Sequence, residues 1–110
     1  MHAFELVKIL ASREMTGRPY LEFLRALSMS MGVYHLKAGH VDLQKPHAED
    51  EVYYVVAGRA QFRAGNEVRT ANAGTLIYVE RLVDHCFSDV TEDLTALVFF
   101  APAEGSTPAH

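Results

Sequence analysis

From Gly39 to Gly58 the chain reads Gly-His-Val-Asp-Leu-Gln-Lys-Pro-His-Ala-Glu-Asp-Glu-Val-Tyr-Tyr-Val-Val-Ala-Gly. The run Val52 to Val56 is β-branched and aromatic, which makes a poor helix and a good strand. His47 and Glu51 stand just before it, and imidazole nitrogen with carboxylate oxygen is the donor pair that borderline divalent metals share. His85 offers a third ligand downstream. In a straight strand His47 and Glu51 would share a face yet lie roughly 13 Å apart, too far to reach one ion with bonds of about 2 Å. The chain has to bend between them. Ala48, Glu49 and Asp50 are where a turn or bulge does this, and Pro46, which cannot donate to a ladder, suits the end of a preceding strand.

Outward from this stretch the pattern is mostly β. Phe4, Val7, Leu10 and Ala11 have helical spacing, so a short amphipathic helix is expected over Phe4 to Ala11, broken by Thr16-Gly17-Arg18-Pro19. From Tyr20 the period becomes two, with Leu27, Met29, Met31 and Val33 expected on one buried face. The run from Glu51 to Val56 is expected to end at Ala57-Gly58. Gln61 to Ala64 and Glu67 to Thr70 flank Gly65-Asn66, a loop suited to primed hairpin turns. Asn72-Ala73-Gly74 reads as another turn. Thr75 to Val79, Asp84 to Ser88 and Leu94 to Phe100 read as three more strands, and Ala101 to His110 as a frayed end. Many short strands after one minor helix indicate an all-β sandwich or barrel, whose closure removes unpaired edges and lets distant segments meet inside.

With 110 residues, about half of them apolar, the chain suits a single domain. Its formal charge of −4, with acidic and basic residues interspersed, argues against nucleic-acid or anionic-membrane partners. The single Cys86 excludes an internal disulfide, fits a reducing compartment and makes a cytoplasmic location the expectation. No apolar run approaches the roughly 20 residues of a spanning helix, and the start, Met-His-Ala-Phe-Glu-Leu-Val-Lys, lacks a signal peptide's order.

At this point the residues resemble a family, the cupins, small double-sheet β-barrels of the RmlC-like jelly-roll (double-stranded β-helix) kind. Their first motif runs Gly, five residues, His-x-His, three or four residues, Glu, six residues, Gly. Gly39, His47, Glu51 and Gly58 fall in that register, and Lys45 sits where the first histidine belongs. The second motif, Gly, five residues, Pro-x-Gly, two residues, His, three residues, Asn, aligns with Gly74, His85 and Asp89, while Glu80, Leu82 and Asp89 replace its proline, glycine and asparagine. The resemblance covers roughly Tyr20 to Pro102. Beside the helix and connector read over 1–19 and the flexible tail read over 103–110, it implies a barrel over 20–102. It also implies a divalent metal, whether iron, manganese, nickel, cobalt or zinc, held by His47, Glu51 and His85.

Each residue also has a plainer reading. His47 can be a surface histidine, His85 a packed histidine beside Phe87, and Glu51 an ion-pair partner of Lys45 occupying the metal's place. Gln44 can offer an amide oxygen, but strand alternation beside Lys45 is expected to turn it away. Tyr53 keeps the parity of Glu51, so it is expected to face the site as acid, base or oxyanion donor, or as an aromatic wall. His35 is expected as a hydrogen-bonded core histidine, and His2, His40 and His110 as loop or terminal residues. Cys86 is expected to face away from the cavity, and Met29 and Met31 to line the interior.

Two main functions remain open: a metal-dependent enzyme, dioxygenase-like or lyase- or isomerase-like, acting on a small oxygen-bearing molecule, and a noncatalytic small-molecule or metal-binding module. A structural dimerisation domain is a third. A homodimer is expected, because apolar residues of both parities in Leu94 to Phe100 leave an outer sheet face to cover.

Overall fold

The computed structural model describes residues 1–108. It contains one helix, α1 (Leu6–Thr16), and six strands, β1 (Tyr20–Arg25), β2 (Ser30–Leu36), β3 (Asp50–Ala64), β4 (Glu67–Asn72), β5 (Leu76–Val79) and β6 (His85–Ala101). All pairings are antiparallel, in the order β1-β2-β6-β3-β4 with β5 on the remaining stretch of β3. This is the expected all-β jelly-roll barrel with a short N-terminal helix. Among the described residues no helix is long and apolar enough to cross a membrane.

The two long strands carry the architecture. Leu94 to Ala101 of β6 lies between β2 and the first half of β3, and His85 to Glu92 pairs with the second half of β3. Sequence reading divided both strands in two, at Ala57-Gly58 and between Ser88 and Leu94. Instead β3 continues through a series of register shifts between Val55 and Gln61. Gly58 adopts φ 96° there, and a Cβ on it would meet the Asp93 carbonyl oxygen at 2.1 Å. Glycine thus marks a bulge through which the strand continues, not its end.

The other departures are local. α1 begins at Leu6 and runs on to Thr16, because nothing from Ser12 to Met15 opposes helix and Gly17 supplies the left-handed residue that ends it. Phe4 lies outside the helix, edge-on to Phe23 at 5.0 Å. The alternation read from Leu27 to Val33 is interrupted, since residues 26–29 form the turn between β1 and β2 and Leu27 is fully exposed. Inside the barrel, β2 presents Gly32, Tyr34 and Leu36, the parity opposite to the one expected, and Met29 and Met31 are only half-buried. Val33 is nonetheless fully buried, and His35 lies on the side of α1, its Nδ1 3.2 Å from Thr95 Oγ1. The hairpin at Gly65-Asn66 is as expected: Ala64 pairs with Glu67, and φ of 59° at Gly65 suits a type II′ turn.

Rows of inward side chains cross the sheet at matched register: Tyr34, Ala96 and Val55; then Gly32, Val98, Tyr53 and Ile77; then Ser30, Phe100, Glu51 and Val79. Phe62, Phe87 and Leu94 fill the interior beside them. Each large apolar side chain so buried contributes about 1.5–3 kcal/mol, which is what holds the polar residues of the lowest row in fixed positions.

Residues 103–107, read as part of a loose tail, lie against the body. Ala103 is buried, the Glu104 amide donates to Ser30 Oγ, and the Gly105 and Thr107 amides donate to the carboxylate of Glu49. His110, expected as a terminal residue, lies outside the described residues.

Candidate metal centre

β3 delivers Glu51 and Tyr53 into the barrel from alternate positions, the start of β6 delivers His85 opposite Ala64, and the bend at residues 48–49 brings His47 back over them. One donor atom from each of His47, Glu51 and His85 falls within 4.8 Å of the others. The three residues singled out from sequence therefore come together, although the segment before His47 is irregular chain and not the strand that Pro46 was expected to end.

Glu51 is 1% exposed and His85 2%. His85 Nε2 lies 3.0 Å from Glu51 Oε1, a contact of charge and proximity, yet neither oxygen of Glu51 receives an aligned hydrogen bond. A buried carboxylate without donors costs several kcal/mol unless a cation or proton answers it. On the far side of the ring, His85 Nδ1 donates to the Val83 carbonyl at 2.9 Å, which fixes the ring with Nε2 turned toward Glu51. Burial disfavours the His85 imidazolium, but the close approach of the Glu51 carboxylate, the Val83 carbonyl and the charge of Asp42 outweigh it and raise the His85 pKa above its ordinary value. Two buried carboxylate oxygens and an oriented imidazole nitrogen make a donor set that fits a divalent cation.

His47 is oriented from both sides. Its Nδ1 faces Glu104 Oε2 at 3.5 Å and its Nε2 faces Gln44 Oε1 at 3.5 Å. The second-motif turn also supports it, because the Leu82 amide donates to the His47 carbonyl at 2.7 Å. Leu82, which replaces the motif glycine, adopts φ 67°, so the turn keeps its left-handed residue at the cost of strain.

Two expectations fail here for one reason. The irregular course of residues 41–47 lacks strand alternation, so Lys45 points to solvent and Gln44 points inward. Lys45 forms no ion pair with Glu51, and the reading in which its ammonium takes the metal's place is corrected. Gln44 Oε1 accepts from the Tyr53 hydroxyl at 2.9 Å. Tyr53 is wholly buried, faces the site as its parity indicated, and its hydroxyl also lies 3.2 Å from His85 Nε2. Burial, then the charge of Glu51, raises its pKa well above the ordinary phenol value, so it stays protonated.

Asp42 and Glu104 were not legible as site residues. Asp42 is a buried carboxylate that accepts from Tyr34 Oη, the Phe87 amide, the Gln44 amide and Gln44 Nε2. Glu104 lies in a stretch of Pro, Ala and Gly that carries no periodic signal. Burial raises its carboxyl pKa, opposed by His47. Cys86 faces the other side of β6, near Arg63.

A cavity of about 150 Å³ adjoins the centre, lined by Tyr20, Tyr34, Gln44, His47, Val98, Phe100 and Glu104. The Tyr20 hydroxyl is buried without a hydrogen-bond partner among the described residues. A wider cleft of about 490 Å³ outside it shares Tyr34 and Gln44 and carries Arg13, Lys37, Val41 and Leu43.

A family model described as the cupin domain matches residues 32–110. The uncharacterized protein SCO3923 of Streptomyces coelicolor is 47% identical over 104 residues, 94% of this chain and 99% of that one. Among solved structures, an RmlC-like cupin with a double-stranded β-helix fold from Methanocaldococcus jannaschii superposes with TM-score 0.69 at 14% identity, covering 76% of this chain and 78% of that one. The DMSP lyase DddQ of Ruegeria pomeroyi gives TM-score 0.66 at 22% identity over 77% of this chain but only 42% of that one. At these identities the structures share the fold alone.

Proposed function

Because the chain belongs to the cupin domain family, we propose that it binds one divalent metal ion through His47, Glu51 and His85 and uses it to act on a small oxygen-bearing molecule. The observation that carries this reading is the buried Glu51 carboxylate, neither oxygen of which receives an aligned hydrogen bond among the described residues, in the company of the oriented imidazoles of His47 and His85. The ion, when bound, supplies Lewis acidity and open positions for substrate oxygen. The chain supplies the rest. Glu104 and the Val83 carbonyl hold the imidazoles, Val98 and Phe100 give the cavity an apolar wall, and the Tyr53 hydroxyl is a proton donor 2.9–3.2 Å from its neighbours at the centre.

The ligand is small. A cavity near 150 Å³ accommodates about the bulk of a benzene ring. The unpartnered Tyr20 hydroxyl asks for an acceptor oxygen, and the neighbouring carboxyls of Glu104, Glu22 and Glu51 make the surroundings negative, which favours a neutral ligand over an anion that does not reach the ion. That DddQ is a lyase on this fold makes an elimination one reaction to assay. The noncatalytic reading drew on Lys45 and on the lost Pro-x-Gly turn. Lys45 outside the site and the preserved turn at Leu82 weaken both grounds.

We further propose a homodimer. Tyr54, Leu76 and Tyr78 lie exposed on the outer face of paired β3 and β5, beside half-buried Leu97 and Phe99 of β6. Light scattering at micromolar concentration tests it, and a strictly monomeric mass overturns it. For the metal, calorimetric titration of manganese, iron(II), nickel, cobalt and zinc into demetallated protein tests the proposal. One saturable site per chain supports it, and no saturable uptake of any of them contradicts it.

A further inference from the structure

We infer that the amide oxygen of Gln44 is a fourth protein donor to this centre, with Asp42 as the positioning residue that aims it. The inference rests on the metal reading above and goes beyond its three ligands.

An amide can present either oxygen or nitrogen, and its partners decide which. Gln44 Nε2 donates to Asp42 Oδ2 at 3.1 Å, and a flipped amide would set a carbonyl oxygen against that carboxylate. The oxygen is therefore the end that faces inward, where Tyr53 Oη meets it at 2.9 Å and His47 Nε2 at 3.5 Å. Asp42 itself cannot readily turn, because Tyr34 Oη and the Phe87 amide each donate to it at 2.8 Å. Phe87 follows His85 by two residues on β6, so this carboxylate ties the Gln44 loop to the strand that bears a ligand.

Two donors bonded to one ion at about 2.1 Å stand about 3.0 Å apart at a right angle and about 3.4 Å apart at the tetrahedral angle. The 3.5 Å between Gln44 Oε1 and His47 Nε2 matches donors sharing an ion. The carbonyl oxygen has two lone pairs, one for Tyr53 and one left for the cation. Lys45 holds the motif position, yet the irregular chain before His47 moves the donor one residue earlier.

The test uses cobalt(II) titrated into demetallated full-length protein, read by calorimetry and by visible absorption, with thermal melting of the metal-free protein as the fold control. Gln44→Met is expected to weaken cobalt binding by about ten- to a hundred-fold and to alter the absorption bands. Gln44→Leu, close in size and without a donor atom, is expected to weaken cobalt binding to the same extent, which covers the case in which the methionine variant fails to fold. Asp42→Asn is expected to weaken binding too, and the double variant Asp42→Asn/Gln44→Met to be no weaker than Gln44→Met alone, since a merely structural Asp42 would add its own loss. Wild-type affinity and spectrum in Gln44→Met, with binding abolished in His85→Ala, would overturn the Gln44 assignment and leave the three ligands standing. No cobalt uptake by wild type would overturn both.

Discussion

His85 Nε2 stands 3.0 Å from Glu51 Oε1 inside the barrel, and neither oxygen of that carboxylate receives an aligned hydrogen bond. In the metal-free protein a proton has to answer this charge, and a metal ion displaces it. Proton and metal therefore compete for one place.

The first prediction concerns pH. The folded His85 pKa lies above the unfolded value of about 6.5, so its contribution to the stability of demetallated protein is fully present below about pH 6.5 and is lost as pH rises through the raised value. Metal affinity has the opposite slope, because the ion must displace that proton. Urea unfolding of demetallated wild type and His85→Gln across a pH series is expected to give a stability difference that shrinks as pH rises. A difference that grows with pH contradicts the assignment.

Tyr53→Phe is expected to keep the metal site and to destabilise the metal-free fold by about 1 kcal/mol through loss of the hydrogen bond to Gln44. In any turnover assay that is established, it is expected to lower turnover at unchanged metal content. Full turnover with metal bound would make Tyr53 a wall of the pocket only.

Lys45→His would add a ligand if the motif alignment placed this side chain, but its exposure places it in solvent. Metal affinity within about twofold of wild type is expected for both Lys45→His and Lys45→Ala. A tenfold change in either variant, checked by the same metal titration, would return position 45 to the site.

Leu82 holds φ 67° where an L-residue with a bulky side chain is strained, and its side chain is mostly exposed. Leu82→Gly is expected to raise stability by about 0.5–1 kcal/mol, the relief of strain exceeding the added flexibility of the unfolded chain. A loss of more than about 1 kcal/mol by urea unfolding would mean that the leucine side chain makes contacts that outweigh the strain.

What could be read from sequence followed from period and donor chemistry. Val52 to Val56 announced a strand by composition, and His47, Glu51 and His85 stood out as a set because their spacing resembles the two cupin motifs. Gly58 was read as an end because glycine serves bulges and ends alike, and only its register against Asp93 and Leu94 distinguishes them. Gln44 was turned the wrong way because parity was applied to chain that is not a strand. Asp42 and Glu104 act through contacts 45 and 57 residues away, with Phe87 and His47 respectively, and no local pattern carries such a partner.

The central claim is that this barrel carries a metal ion on His47, Glu51 and His85, and metal content by elemental analysis of untagged protein tests it most directly. Close to one divalent ion per chain in wild type, falling to near zero in His47→Ala and His85→Ala, is the expected result. Full occupancy retained in both variants, or a folded wild type that carries no metal and takes up none on dialysis against it, would contradict the account.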